Sequence, residues 1–291
     1  MVKKRIRLLF TLLAVLVLSA SCSSAPKKPK EIFTERNTLA GQLDLAVKTA
    51  NQGNFKDALA SVEYVNKKSV SLDSPHLIVR SSIVMGNILF AIDRYDEAFA
   101  QWDRGIEAAV RDKEKNLESE ARIYRARGSL LLPDKNNVNI EEIKTMLNRE
   151  INSLKDDPAA QAAGYAVLGL AEKEQRRYAE AEAALRKALA IHEKQLFLED
   201  AAYDWFIIAS VYSVNQKYSD AVNALNNAIT LDRKAENGFG LASSWRALGD
   251  VFIKSGNTAE AASAYRRSAD IYNALGMEKN AMESMSKIRE N

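Results

Sequence analysis

The sequence predicts an all-α chain, a solenoid of about six helical hairpins closed by a C-terminal capping helix. Three observations carry this expectation. Apolar residues recur at intervals of three and four, as at Trp205, Ile208, Ala209 and Tyr212, which is the spacing of one helix face. Alternating Val/Ile/Thr runs bounded by turn residues do not occur, so no strand is indicated. A small residue also returns at Ala46, Gly86, Ala126, Gly169, Ala209 and Gly249, in steps of 40, 40, 43, 40 and 40.

The elements follow in order. "MVKKRIR" is basic, and Ile6 to Ala20 is an apolar run ending in small residues. The run is short for a spanning helix, which needs about 20 apolar residues, and fits the apolar region of an export signal. It meets Cys22, the single cysteine of the chain, so neither an intrachain disulfide nor a cysteine-rich zinc site is available. Residues 22–31, with "SSAPKKPK", are polar and proline-bearing and read as an extended tether.

From Ile32 onward a single architecture is expected, with short breaks at Asn51 to Asn54, Asp93-Arg94, Gln175 to Arg177, Asn215 to Lys217 and Ser255 to Asn257. Helices joined by such breaks form antiparallel hairpins. Twelve residues after the small marker comes an alanine, at Ala58, Ala98, Ala181, Ala221 and Ala261, and four further on a larger residue, at Val62, Trp102, Leu185, Leu225 and Tyr265. An aromatic stands three before that alanine at Phe55, Tyr95, Tyr178 and Tyr218, with Thr258 the exception. Helix axes cross at about 8–10 Å, where only small side chains fit, and the larger ones fill the flanking gaps. A glycine inside a helix costs about 1 kcal/mol relative to alanine, so close packing must offset it.

The third unit departs from the pattern. Arg122 and Arg125 occupy large-residue positions, Pro133 stops the first helix, and "DKNN" lengthens the turn, consistent with the three extra residues. It reads either as a worn repeat with a surface loop or as a bend or partner-contact loop between two halves. Glu278 to Arg289 is expected to cap the apolar end with a polar outer face.

Over roughly residues 39–272 these offsets resemble the tetratricopeptide repeat. Tyr165, Leu168, Gly169, Ala181, Leu185 and Ala188 match its pattern, as do Trp245, Leu248, Gly249, Phe252, Ala261 and Tyr265. Trp205, Ile208, Tyr212, Ala221, Leu225 and Ala228 match apart from Ala209 at the glycine position. The 40-residue period, "MGN" at 85–87 and "LGD" at 248–250 resemble the longer repeats of kinesin light chain.

The resemblance implies a right-handed superhelix with repeats at about 39–78, 79–118, 119–161, 162–201, 202–241 and 242–276, and a cap at 277–291. It further implies a concave groove that takes a protein or peptide partner. Carried over residue by residue, groove positions are Arg80, Ile83, Asn87 and Phe90 in the second unit and Ile123 and Arg127 in the third. The fifth gives Tyr203, Phe206 and Ser210, and the sixth gives Arg246, Asp250 and Lys254. Tyr203 and Phe206 are larger than repeat packing needs, and they either anchor a partner or fill a tight superhelix.

The leader, residues 1–21, is similar to that of bacterial lipoproteins, in which an apolar residue and two small ones precede a lipidated cysteine. "SASC" supplies the small residues and Cys22, with Ser19 where the family has an apolar residue. The resemblance implies a lipid on Cys22 and a chain anchored at a bacterial envelope membrane and facing the periplasm. Ser23, in place of the aspartate that retains many lipoproteins at the inner membrane, implies the outer one. An ordinary signal peptide cut after Ala20 or Ser21 is the alternative.

Several function classes find no support. Formal net charge is +3, and without Lys3, Lys4, Arg5 and Arg7 of the leader the balance is −1, with signs interspersed and no footprint for nucleic acid. His76, after Ser-Pro at an expected turn, and His192, ending a charged helix, lie far apart, and no metalloprotease, phosphate-loop or nucleophile-elbow motif occurs. "GFG" at 238–240 reads as an inter-repeat turn. No enzyme activity, metal or cofactor is therefore expected. The leading reading is a non-catalytic, membrane-tethered scaffold for protein–protein interaction. The alternatives are an accessory subunit of a periplasmic solute-binding system, forming a homo-oligomer with an enclosed pocket, and an envelope-assembly factor.

Overall fold

A computed structural model describes residues 34–290, and the leader, the tether and Cys22 lie outside the described residues. Thirteen helices and no strand make up the described residues. They run α1 (Thr34–Asn51), α2 (Phe55–Ser71), α3 (Pro75–Ala91), α4 (Tyr95–Arg111), α5 (Lys115–Leu131), α6 (Ile140–Ser153), α7 (Pro158–Glu174), α8 (Tyr178–Gln195), α9 (Leu198–Val214), α10 (Tyr218–Lys234), α11 (Gly238–Lys254), α12 (Thr258–Ala274) and α13 (Glu278–Glu290). The first turn of α1 belongs to a separate contact unit ending at Asn37, and the hairpin array begins at Thr38.

Hairpins stack in sequence order: from α2 onward each helix packs on the next, and α1 shares a buried cluster with α2. First helices of successive hairpins also touch one another, α3 on α5, α5 on α7, α7 on α9 and α9 on α11, whereas second helices do not pack together comparably. First helices therefore form the inner layer of a curve and second helices the outer one. The curve is tight. The turn after α1 reaches the later hairpins, where Asn51 Nδ2 donates to Glu199 Oε1 at 3.3 Å and the Phe55 and Phe239 rings meet edge-on at 5.5 Å. Lys279 of α13 pairs with Asp93 at 3.2 Å.

The small markers do what the packing argument requires. A Cβ built on Gly169 would stand 2.5 Å from Leu185 Cγ, and one on Gly249 would stand 2.5 Å from Tyr265 Cε1. In each case the glycine faces the large residue of its own hairpin. Trp102 is 2% exposed, and its indole fills the space over two glycines, Gly86 of its own hairpin and Gly128 of the next. Phe55, Tyr95, Tyr178 and Tyr218 each open a second helix.

Almost every turn is the same device. One residue with positive φ recurs every twenty positions, at Gly53, Asp73, Asp93 and Lys113, and again at Arg176, Leu196, Gln216, Glu236, Gly256 and Gly276. The next amide bonds back to a carbonyl five residues earlier, as Asn54 N to Thr49 O at 3.1 Å and Arg177 N to Glu172 O at 3.0 Å. This closes the helix end in a left-handed cap. Only three of the ten positions hold glycine, so the period was hidden in the sequence.

The third hairpin breaks the device. Leu132, forced from helical geometry by Pro133, sits at φ −55 and ψ 143, and α6 starts eight residues later. α6 is the short second helix, and α5 packs more extensively on α7 than on α6. The intervening loop is pinned by Lys135, 2.7 Å from Glu174 of α7.

Three smaller expectations are corrected. "GFG" is not a turn but the first turn of α11, where the Asn237 side chain caps Gly240 N at 3.0 Å; a Cβ on Gly240 would crowd Asp232 and Asn237. His76 lies in the first turn of α3, because Pro75 is well suited to open a helix. The outer face of α13 is not wholly polar, since Met282 is 66% exposed.

Candidate interaction site on the inner face

Two cavities open among the first helices. The smaller, of about 30 Å³, is lined by Ile123, Tyr124 and Arg127 of α5, Ala163, Ala166, Val167 and Leu170 of α7, His192 of α8, and Asp200, Tyr203 and Asp204 of α9. The larger, of about 150 Å³, lies between α9 and α11 over Phe206, Ala209, Leu225, Ala247 and Val251, with Ser210, Ser213, Asp250 and Lys254 among its polar lining.

The structure gathers part of the expected groove here. Arg127 lies with its guanidinium 5.6 Å from the Tyr124 ring centre and 5.2 Å from that of Tyr203. Tyr203 stacks on Phe206 at 6.3 Å, and both rings pack against the core. They thus contribute to packing while still lining the cavities. Phe206, Asp250 and Lys254 meet at the larger cavity with Ser210. There Lys254 donates to Ser213 at 3.2 Å, and Lys173 donates to Ser210 at 3.4 Å. Burial lowers the Lys173 pKa. Asp250 is engaged on the other side, accepting from Tyr265 at 2.8 Å and pairing with Lys287 of α13 at 3.0 Å. Arg246 pairs with Glu283 at 3.3 Å and lies over Tyr272.

The second-unit residues stand apart from both cavities. Arg80 Nη2 lies 3.4 Å from Glu120 Oε2, and burial raises the Glu120 pKa against the pull of Arg80. Asn87 Oδ1 is buried without a hydrogen-bond partner. Phe90 packs on Tyr95 and Trp102, at 4.9 and 5.8 Å, so it fills its own hairpin. Ile83 and Ile123 are 4% and 0% exposed, so both belong to the core, and Ile123 also lines the smaller cavity.

Sequence reasoning missed the most unusual pair in this region. His192 Nδ1 lies 2.7 Å from Asp204 Oδ2, with the two residues 4% and 1% exposed. Burial alone would lower the His192 pKa, but the hydrogen bond and charge of Asp204 outweigh it and raise it. Burial pushes the Asp204 carboxyl up to about 6, against the lowering pull of His192. The signal was present in the register. His192 falls forty residues before Asp232 and eighty before Tyr272, and Asp204 forty before Ser244, all of them buried.

Among the described residues, no cluster of three or more His, Cys, Asp or Glu side chains is gathered for a metal ion, and no helix is long and apolar enough to cross a membrane.

Tetratricopeptide repeat family models match residues 162–195 and 199–274. Among solved structures, the chain is similar to a Rap protein complexed with competence and sporulation factor, at 15% identity and a TM-score of 0.58, over 90% of this chain and 76% of that one. It is similar to BtubC (BKLC) from P. vanneervenii at 13% identity and a TM-score of 0.52, over 82% and 92% of the two chains. It is also similar to PilW, a type IV pilus biogenesis factor, at 13% identity and a TM-score of 0.51, over 86% and 98%. A comparison with curated proteins finds no match. The chain carries tetratricopeptide repeats in an all-α solenoid, an architecture suited to protein–protein interaction.

Proposed function

We propose that the chain is a non-catalytic interaction scaffold, tethered by a lipid on Cys22 and facing the periplasm of a bacterial envelope. A protein or peptide partner is held on the inner face. The observation that carries the partner reading is the convergence of Arg127, Tyr203 and Phe206 on an inner face with two cavities. Aromatic and arginine side chains beside such cavities are the residue types that anchor partners. The tether reading rests on the leader, with its basic start, short apolar run and single cysteine. Two similar folds, the Rap protein in its complex and the pilus biogenesis factor PilW, are consistent with partner recruitment.

A second reading, an accessory subunit handling a ligand for a solute-binding protein, is favoured by the contacts that bring Asn51 and Phe55 onto Glu199 and Phe239 and so enclose the inner face.

Fractionation followed by affinity capture from solubilised membranes separates these. The wild type is expected with the membranes, and Cys22→Ala in the soluble fraction. The scaffold reading expects a captured protein whose recovery falls at least tenfold with Tyr203→Ala/Phe206→Ala. Recovery of one solute-binding protein favours the second reading, and a wild type that stays soluble overturns the tether.

A further inference from the structure

The larger cavity is built by a local change of residue size. At the joint between α7 and α9 stand Leu170, Lys173 and Ile207; forty residues on, at the joint between α9 and α11, the same positions hold Ser210, Ser213 and Ala247. Leu170 and Ile207 are buried where they stand, so their shorter counterparts withdraw side chain that fills the earlier joint. Packed interiors leave few voids larger than a water molecule. This one, about 150 Å³, has room for a benzene-sized body over a floor of Phe206, Ala209, Leu225, Ala247 and Val251.

Its rim presents donors that lack an acceptor. Lys254 lines the cavity and pairs with no carboxylate among the described residues; its ammonium donates to the Ser213 hydroxyl at 3.2 Å. Ser213 is 8% exposed, and its own hydroxyl hydrogen meets no acceptor among the described residues. The neighbouring Ser210 differs, donating to Ile207 O at 2.8 Å. A buried hydroxyl that only accepts, beside an ammonium with no counter-ion, points to an acceptor carrying negative charge.

The surrounding charge favours an anion as well. One turn along α9 from Ser213, Lys173 donates to Ser210 at 3.4 Å. The carboxylate it pairs with, Glu174 at 3.8 Å, is held by Lys135 at 2.7 Å. Asp250 also lines the cavity, but Lys287 at 3.0 Å compensates it and Tyr265 donates to it at 2.8 Å. Lys173 and Lys254 are thus left unbalanced, since four ammonium groups stand against two carboxylates.

We propose that the larger cavity binds a carboxylate borne on an apolar body, the body lying over Phe206 and Ala247 and the carboxylate accepting from Lys254 and Ser213. A free aromatic or branched acid has this chemistry, and so does the C-terminal phenylalanine or leucine of a chain. The subsite goes beyond the scaffold reading and does not depend on it.

The full chain is titrated at neutral pH with 3-phenylpropanoate while the NMR signals of Phe206 and Lys254 are followed. Saturable shifts are expected, with affinity at least tenfold weaker for 3-phenylpropanamide, which lacks the charge, and for propanoate, which lacks the ring. Lys254→Met, at an exposed position that leaves the fold undisturbed, is expected to weaken binding at least tenfold. Ala247→Ile restores the residue of the preceding repeat and is expected to abolish binding, with an unchanged or higher thermal midpoint. Shifts that do not saturate, or that neither variant changes, overturn the subsite. The amide binding as tightly as the acid overturns the carboxylate assignment. A peptide ending in phenylalanine, bound at least tenfold more tightly than 3-phenylpropanoate and only with its C-terminus free, assigns the subsite to a chain end; a peptide bound no more tightly assigns it to a free acid.

Discussion

The joint between α8 and α9 and the joint between α4 and α5 occupy the same place in the repeat register but are built from opposite chemistry. Each pairs the fifteenth residue of a second helix with the seventh of the following first helix. At α4–α5 these are Ala109 and Ala121, both 0% exposed, and at α8–α9 they are His192 and Asp204. Other joints lie between the two. Ser69 and Ser81 turn their hydroxyls onto their own helices, to Val65 O and Leu77 O, each at 2.7 Å. Asp232 accepts from Ser244 at 3.2 Å and from Asn237 at 2.8 Å. The position is buried whatever occupies it. Small residues make the joint independent of any partner, whereas the charged pair makes each member conditional on the other.

Removing one member of the pair is the largest expected break. His192→Ala strands the Asp204 carboxylate and is expected to cost about 3–5 kcal/mol in urea unfolding. The double variant His192→Ala/Asp204→Ala rebuilds the alanine joint and is expected to be about 1–2 kcal/mol more stable than the single variant. A double variant no better than the single one would mean that the joints are not interchangeable.

Asp232 sharpens the comparison through pH. Burial pushes its carboxyl from 3.8 up to about 7, so the folded state favours the protonated form. Its contribution is intact below about pH 4, is lost as pH rises to 7, and is flat above that. Asp232→Asn is expected to remove that slope and to stabilise the protein at pH 8 by about 2–4 kcal/mol. Thermal unfolding from pH 4 to 8 checks both.

Within a hairpin, Gly249→Ala brings a methyl against the Tyr265 ring and is expected to cost about 1–3 kcal/mol. The smallest effect is at a turn. Gln216 holds φ 61, a conformation that costs a side chain about 1 kcal/mol, so Gln216→Gly is expected to raise stability by about 0.5–1 kcal/mol. Urea midpoints distinguish the two by sign.

Much of the fold was legible in the letters because packing constraints repeat. Gly86, Gly169 and Gly249 are small because Trp102, Leu185 and Tyr265 lie against them, and both members recur at fixed offsets. The left-handed turns were not legible, because Asp93, Arg176 and Leu196 give no sign of a positive φ that tertiary packing imposes. For the site, Arg127, Tyr203 and Phe206 came from groove positions that the tetratricopeptide resemblance implies, carried over by register. His192–Asp204 was missed because its chemistry depends on a twelve-residue offset between two hairpins. Phe90 packs inside its own hairpin because Tyr95 and Trp102 lie against it, which its register position alone does not show.

Site-specific photocrosslinking in cells tests the central claim most directly, with a benzophenone side chain placed at Phe206 on the inner layer and, separately, at exposed Tyr64 on α2 of the outer layer. The account predicts a discrete protein adduct from position 206 and none from position 64. An adduct from position 64 with none from position 206 would contradict it.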